Sequence, residues 1–138
     1  RTESGVKMCG LALIATILVS GCASYRETAA LDGEAKLVEI IGNRTAGKPV
    51  NCISFHQIRS SRIIDRTAIV YEVSRGVFYL NRPRWGESAL RRDSVLLTRT
   101  SMPQLCDGEV VRLLDPGVMH ETGAVALGDF VPYSAPKP

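Results

Sequence analysis

Ala68-Ile-Val-Tyr-Glu-Val-Ser-Arg-Gly-Val-Phe-Tyr-Leu-Asn81 reads as two strands and the turn between them. Side chains on a strand alternate between its two faces. Ile69, Tyr71 and Val73 therefore share one face, and Val70, Glu72 and Ser74 the other. Arg75-Gly76 supplies the turn, and Val77 to Asn81 returns with Val77 and Tyr79 opposite Phe78 and Leu80. β-branched and aromatic residues at period two around a glycine turn make this the strongest hairpin in the chain.

Working outward, the same signals recur at short intervals. Val50 to Ile58 is apolar and partly β-branched, and Arg59 to Ile64 continues or pairs with it. Asn81 to Ser88 reads as a loop. Ser94–Thr100, Glu109–Asp115 and Ala124–Val131 are further short strands, punctuated by Met102-Pro103, Asp107-Gly108 and Asp115-Pro116-Gly117. Ahead of them, Leu37, Ile40 and Ile41 have helical spacing, which predicts a short helix over Glu34–Ile41 stopped by Gly42-Asn43. Thr45 to Pro49 is a turn-rich connector. The fold class expected is mainly β: a small single-domain barrel or sandwich of about five to seven short antiparallel strands after one short helix.

With 138 residues there is room for one domain, and 45% hydrophobic with 22% charged residues is an ordinary globular balance. The formal net charge of +3 is too small for a polyanion-binding footprint. The basic residues are mostly arginine, which suits phosphate or carboxylate recognition, though a codon bias produces the same excess.

The first residues read as an address. Arg1 and Lys7 open the chain, no charge falls between Met8 and Tyr25, and Cys9 to Val19 is unbroken apolar sequence. Spanning a bilayer takes about 20 such residues, so this run has the length of a signal-peptide core. Met8 is the only methionine placed to start it, so residues 1–7 are expected to be upstream read-through or an alternative start. The run ends in Val19-Ser20-Gly21-Cys22, which resembles the bacterial lipobox. The resemblance implies that Cys22 is acylated and that residues 1–21 are removed as a lipoprotein signal peptide. Residues 22–30 would then be a lipidated polar tether and 31–138 a single mainly-β domain. Ala23, in place of aspartate, implies sorting to the outer membrane, facing the periplasm.

A second resemblance covers residues 45–133. Asn51-Cys-Ile53, Ile58-Arg-Ser60, Ile64-Asp65, Tyr79 with Asn81-Arg82, Leu105-Cys-Asp-Gly108 and Leu127-Gly-Asp-Phe-Val-Pro-Tyr133 occur in one order. This is similar to an uncharacterised family of short secreted bacterial proteins, a domain of unknown function. It implies an envelope address and no particular activity. That family often carries two further cysteines, near Glu87 and near Val125, and both are absent here. Their joint loss implies that they form one disulfide and Cys52–Cys106 the other.

Once Cys9 is removed and Cys22 acylated, Cys52 and Cys106 are the remaining thiols. A pair in an exported domain is read first as a disulfide, which stabilises by up to about 4 kcal/mol on the chain-entropy model. The alternative is a small periplasmic enzyme with Cys52 as nucleophile and His56 or His120 as base. On a strand, however, Cys52 and His56 lie about 13 Å apart. Cys52, His56, Cys106 and His120 are the right ligand types for zinc but lack close paired spacing, so neither metal nor cofactor is expected. Asp65, His56 and Ser60 or Ser61 can be drawn as a hydrolase triad, yet no nucleophile elbow surrounds either serine. No catalytic residue is assigned.

The arginines are the remaining candidates. Arg59, Arg62 and Arg66 precede the hairpin; Arg82-Pro-Arg84-Trp85 and Arg91-Arg92 follow it. Asp65, Glu72, Glu87 and Asp93 balance them, which favours a solvated face. An active reading takes Arg82, Arg84 and Trp85, stiffened by Pro83, as a binding loop for an anionic envelope component. An envelope address leaves nucleic acid out. The expectation is thus a binding or assembly module.

Overall fold

The structure is a computed structural model that describes residues 21–73 and 76–136, with side chains of the first helix described from Glu27 onward. The expected signal segment up to Ser20, Arg75 of the hairpin turn and the side chain of Cys22 lie outside the described residues. In chain order the elements are α1 (Gly21–Ile41), β1 (Thr45–Ala46), β2 (Cys52–Ser54), β3 (Ile58–Ile64), β4 (Ala68–Val73) and β5 (Phe78–Asn81). Then come β6 (Val95–Thr98), β7 (Gln104–Cys106), β8 (Val110–Leu114), β9 (Glu121–Ala126) and β10 (Phe130–Ser134). The ten strands form three antiparallel sheets, with strand orders β1-β10-β5-β4-β3, β2-β7 and β6-β8-β9. The result is a sandwich-like domain with a preceding helix. Among the described residues no sheet closes into a barrel.

The decisive hairpin forms as its alternation requires. Tyr71 pairs with Tyr79, Val70 with Leu80 and Ile69 with Asn81. Its two faces bury different cores. On the inner face Ile63, Ile69, Tyr71 and Phe130 meet Val111, Leu113 and Val125 of the three-stranded sheet and Ile53 and Leu105 of the two-stranded one. The rings of Tyr71 and Phe130 lie 5.9 Å apart and tilted, and burial pushes the Tyr71 hydroxyl well above its ordinary pKa. On the outer face Ile64, Ala68, Val70 and Leu80 are covered by Leu37 and Ile41 of α1. The helix thus makes a third layer, and β4 is apolar on both faces because both are covered.

α1 begins at Gly21, earlier than the expected Glu34, so residues 22–30, expected as a polar tether, are helical. Ala23 to Asp32 contains no glycine or proline and several good helix formers, so nothing in it stops a helix. Gly33 does not stop it either. A Cβ there would collide with Thr67 Oγ1. Glycine is what lets the helix sit on the β3–β4 turn. The expected stop holds: Gly42 has φ of +62° and its N–H bonds the Val38 carbonyl at 2.8 Å, a left-handed C-terminal cap.

The strand number exceeds the five to seven expected, for identifiable reasons. The apolar run Val50–Ile58 is interrupted by a 3-10 turn at Phe55–Gln57, so β2 and β3 belong to different sheets. The run Ala124–Val131 is divided at Leu127-Gly128-Asp129, where the chain leaves the three-stranded sheet for the five-stranded one. β1 and β7, two and three residues long, are too short to show a period.

Candidate functional site

Arg82, Arg84 and Trp85 follow β5 as an extended segment bridged to β9: Arg84 N–H bonds the Ala126 carbonyl at 2.8 Å and Ala126 N–H the Trp85 carbonyl at 3.1 Å. Arg82 and Arg84, two residues apart, line one open cleft of about 490 Å³ floored by Leu80, Val131 and Tyr133. Trp85 is half-exposed and does not line it. The structure therefore brings the two arginines together and separates the tryptophan from them.

Both guanidinium groups are already met by carboxylates. Arg82 grips Glu34 of α1 bidentately, at 2.6 and 2.9 Å. That hydrogen bond holds the Glu34 carboxyl below its ordinary pKa and raises Arg82. Arg84 bonds Asp107 at 2.6 Å and lies 3.6 Å from Asp129. Two cations facing three carboxylates make a poor receptor for a further anion. Glu34, Asp107 and Asp129 were not identifiable as partners from the sequence, since each lies more than twenty residues from its arginine.

The Arg82–Glu34 pair ties the helix to the sandwich, but both side chains are about half-exposed. Solvent screening limits its worth to about 1 kcal/mol at most. A Glu34→Gln, Arg82→Met double-mutant cycle read by urea unfolding is expected to show that coupling at neutral pH. A carboxyl with a depressed folded-state pKa stabilises above its ordinary pKa and loses the effect as pH falls through the folded value. The coupling should therefore vanish below the ordinary glutamate range; a coupling that persists in acid contradicts the assignment.

Cys52 and Cys106 are bonded to each other, directly paired across β2 and β7 with Cα atoms 4.0 Å apart. The thiol that a nucleophilic mechanism requires is consumed in that bond. His56 is exposed in the 3-10 turn and His120 in the β8–β9 turn. Among the described residues no three His, Cys, Asp or Glu side chains gather at metal-binding range. Ser60 Oγ donates to Glu72 at 3.1 Å, and Asp65 accepts from the Arg92 N–H, so the drawn triad does not assemble. His56 and Asp65 stand at opposite ends of β3, about 20 Å apart on strand geometry.

A larger feature was not visible in the sequence. Between α1, the edge strand β3 and the segment from Ser88 to Leu96 runs an open groove of about 1670 Å³. Lys36, Arg62, Arg66, Arg91 and Arg92 line it, with Asp32, Glu39, Asp65 and Asp93. Lys36 is paired with Glu39 and Arg92 with Asp65. The guanidinium groups of Arg62 and Arg91 have no carboxylate partner among the described residues. The reading of Arg62, Arg91 and Arg92 as basic clusters was available from the sequence; their convergence on one groove was not. No protein-family model, curated protein or solved structure matches the chain.

Proposed function

We propose that this is a cell-envelope lipoprotein, acylated at Cys22 and held at the outer membrane facing the periplasm, whose domain binds or assembles with an anionic envelope component. The observation that carries the reading is the Cys52–Cys106 disulfide. Such bonds persist in oxidising compartments, and the address implied by Val19-Ser20-Gly21-Cys22 leads to one. The continuous helix adds support, because an anchor at Cys22 would enter the domain directly through α1. The groove with Arg62 and Arg91 suits an anion better than the neutralised Arg82 and Arg84 do.

The test is metabolic labelling with a palmitate analogue in the producing bacterium. The parent protein is expected to take up label and mature by loss of residues 1–21. Cys22→Ala should take up none and accumulate at precursor size. Label in Cys22→Ala, or an unlabelled parent, sinks the proposal.

A further inference from the structure

We infer that the end of the sandwich from which α1 departs is a membrane-contacting surface, seated on the anionic headgroups of the bilayer. This rests on the lipid anchor proposed above and identifies that anionic component as the lipid surface itself.

The direction of α1 sets the geometry. Gly33 sits on the β3–β4 turn, against Thr67 and the Asp65 carbonyl. At the other end of the helix Arg44 stacks over the Phe78 ring at 4.1 Å and reaches the Gly76 carbonyl, beside the β4–β5 connection. The helix therefore runs the length of β4, and Gly21 to Asp32 project past the β3–β4 turn for about 18 Å at helical rise. An acyl group at Cys22 would place that end of the domain within one short helix of the lipid.

What gathers at that end suits an interface. Arg66 occupies the β3–β4 turn and its N–H bonds the Leu90 carbonyl at 3.1 Å, which brings Arg91, Arg92 and Val95 alongside. Val95 pairs with Leu114, so the turn from Asp115 to His120 emerges on the same side. That turn is closed by its own hydrogen bonds. Asp115 Oδ1 accepts from the Gly117 and Val118 N–H groups, and the Asp115 carbonyl accepts from Met119 N–H. It nevertheless presents Val118 and Met119 at 76% and 58% exposure. Leu31, on the projecting part of α1, is 65% exposed. Scattered apolar residues on a surface are ordinary. Two adjacent ones held outward by a hydrogen-bonded turn, next to the strand whose Val95 lines the groove with Arg66 and Arg91, suit an interfacial contact.

The charge term is modest, because Asp32 and Asp93 oppose Arg62 and Arg91 in the groove. Apolar insertion carries most of the contact, and salt weakens it without abolishing it. Tethering raises the effective concentration of the face at the lipid, so even a weak surface would be engaged.

The anchor and the face can be tested separately. Both cores are built from residues after Gly33, so a chain beginning at residue 22 with Cys22→Ser keeps every core contact and lacks any acyl group. It is expected to co-sediment with vesicles of phosphatidylethanolamine and phosphatidylglycerol several-fold more than with neutral phosphatidylcholine vesicles. Val118→Asp, Met119→Asp should lower the bound fraction at least fivefold, and Arg62→Gln, Arg91→Gln about twofold, with unchanged circular dichroism. In a second arm the acylated protein is placed in vesicles containing brominated lipid. Trp85, the only tryptophan, is first replaced by phenylalanine so that quenching reports position 118 alone. A Trp85→Phe, Val118→Trp variant should be quenched. Absence of vesicle binding in the first arm, or equal binding by the Val118→Asp, Met119→Asp variant, overturns the inference. So does an unquenched Val118→Trp, and the face would then belong to a protein partner. Failure of palmitate labelling would remove the anchor while leaving the first arm intact.

Discussion

Replacing both Cys52 and Cys106 by serine is expected to destabilise the domain by about 3 kcal/mol, and to lower its thermal midpoint by about 10 °C. The bond joins positions 54 residues apart, so in the unfolded chain it closes a long loop and removes much of that chain's freedom. Its native role is local as well. β2 and β7 are three-residue strands that pair only with each other, and Ile53 and Leu105 beneath the bond are 4% and 1% exposed. Without the crosslink, three ladder positions and the flanking Asp107–Asn51 and Phe55–Pro103 backbone bonds hold those two residues against Ile63, Ile69 and Phe130. Urea unfolding of the double variant against the parent, with and without reductant, measures the loss. The parent should shift towards the variant on reduction and the variant should not move. Alkylation of the denatured, unreduced protein should find neither Cys52 nor Cys106 reactive. Two reactive thiols there would remove the disulfide and return Cys52 to the list of candidate nucleophiles.

What could be read in advance divides along a physical line. The β4–β5 hairpin was legible because alternation, β-branched residues and a glycine turn all pointed to two antiparallel strands. Its register was not, since Glu72 pairs with Phe78, one residue out of the pairing that a two-residue Arg75-Gly76 turn sets. The stop of α1 at Gly42 was legible because a left-handed cap has a residue preference. The start of α1 was not. Small and polar residues from Ala23 to Ala30 serve a tether or a helix equally well, and neither periodicity nor a cap separates them. The division of Ala124–Val131 into β9 and β10 was signalled by Gly128-Asp129, but apolar residues on both sides disguised a change of sheet as one strand.

The candidate site follows the same rule more severely. Arg82, Arg84 and Trp85 could be singled out by type and by their place in a loop. Their usefulness depended on Glu34, Asp107 and Asp129, which the fold brings in from elsewhere. Arg62 and Arg91 looked no different in sequence. Tertiary pairing alone decides which arginines remain available. In sequence Asn81 is only the end of the hairpin and the start of a loop, and its burial at 0% exposure against Gly128 likewise depends on the fold.

Asn81→Leu is expected to destabilise the domain by about 2–4 kcal/mol, because each buried polar group left without a partner costs about 1–3 kcal/mol. Asn81 is fully buried at the end of β5. Its side-chain N–H₂ donates to the Gly128 carbonyl at 2.6 Å, and its carbonyl oxygen accepts from the Gly128 N–H at 3.1 Å. This amide supplies both bonds to the corner where the chain crosses between sheets. Leucine has the same branching and no fewer heavy atoms, so it leaves no cavity, and the deficit would report the orphaned backbone groups rather than lost packing volume. Asn81→Asp adds a signature that packing alone cannot imitate. Its carboxylate can still accept from the Gly128 N–H but faces the Gly128 carbonyl with no proton to donate. Burial and that repulsion raise its folded-state pKa above the ordinary aspartate value. The folded form then binds the proton more tightly than the unfolded form, and stability falls as pH rises through and beyond the ordinary aspartate range. In acid the protonated carboxyl can donate to Gly128 and recover part of the loss; at neutral pH it cannot. Urea unfolding of the parent, Asn81→Leu and Asn81→Asp at acidic and neutral pH should therefore show an Asn81→Asp deficit that shrinks in acid and an Asn81→Leu deficit that does not. If Asn81→Leu unfolds within about 0.5 kcal/mol of the parent, a shift no larger than that of an ordinary surface substitution, the amide does not hold the corner.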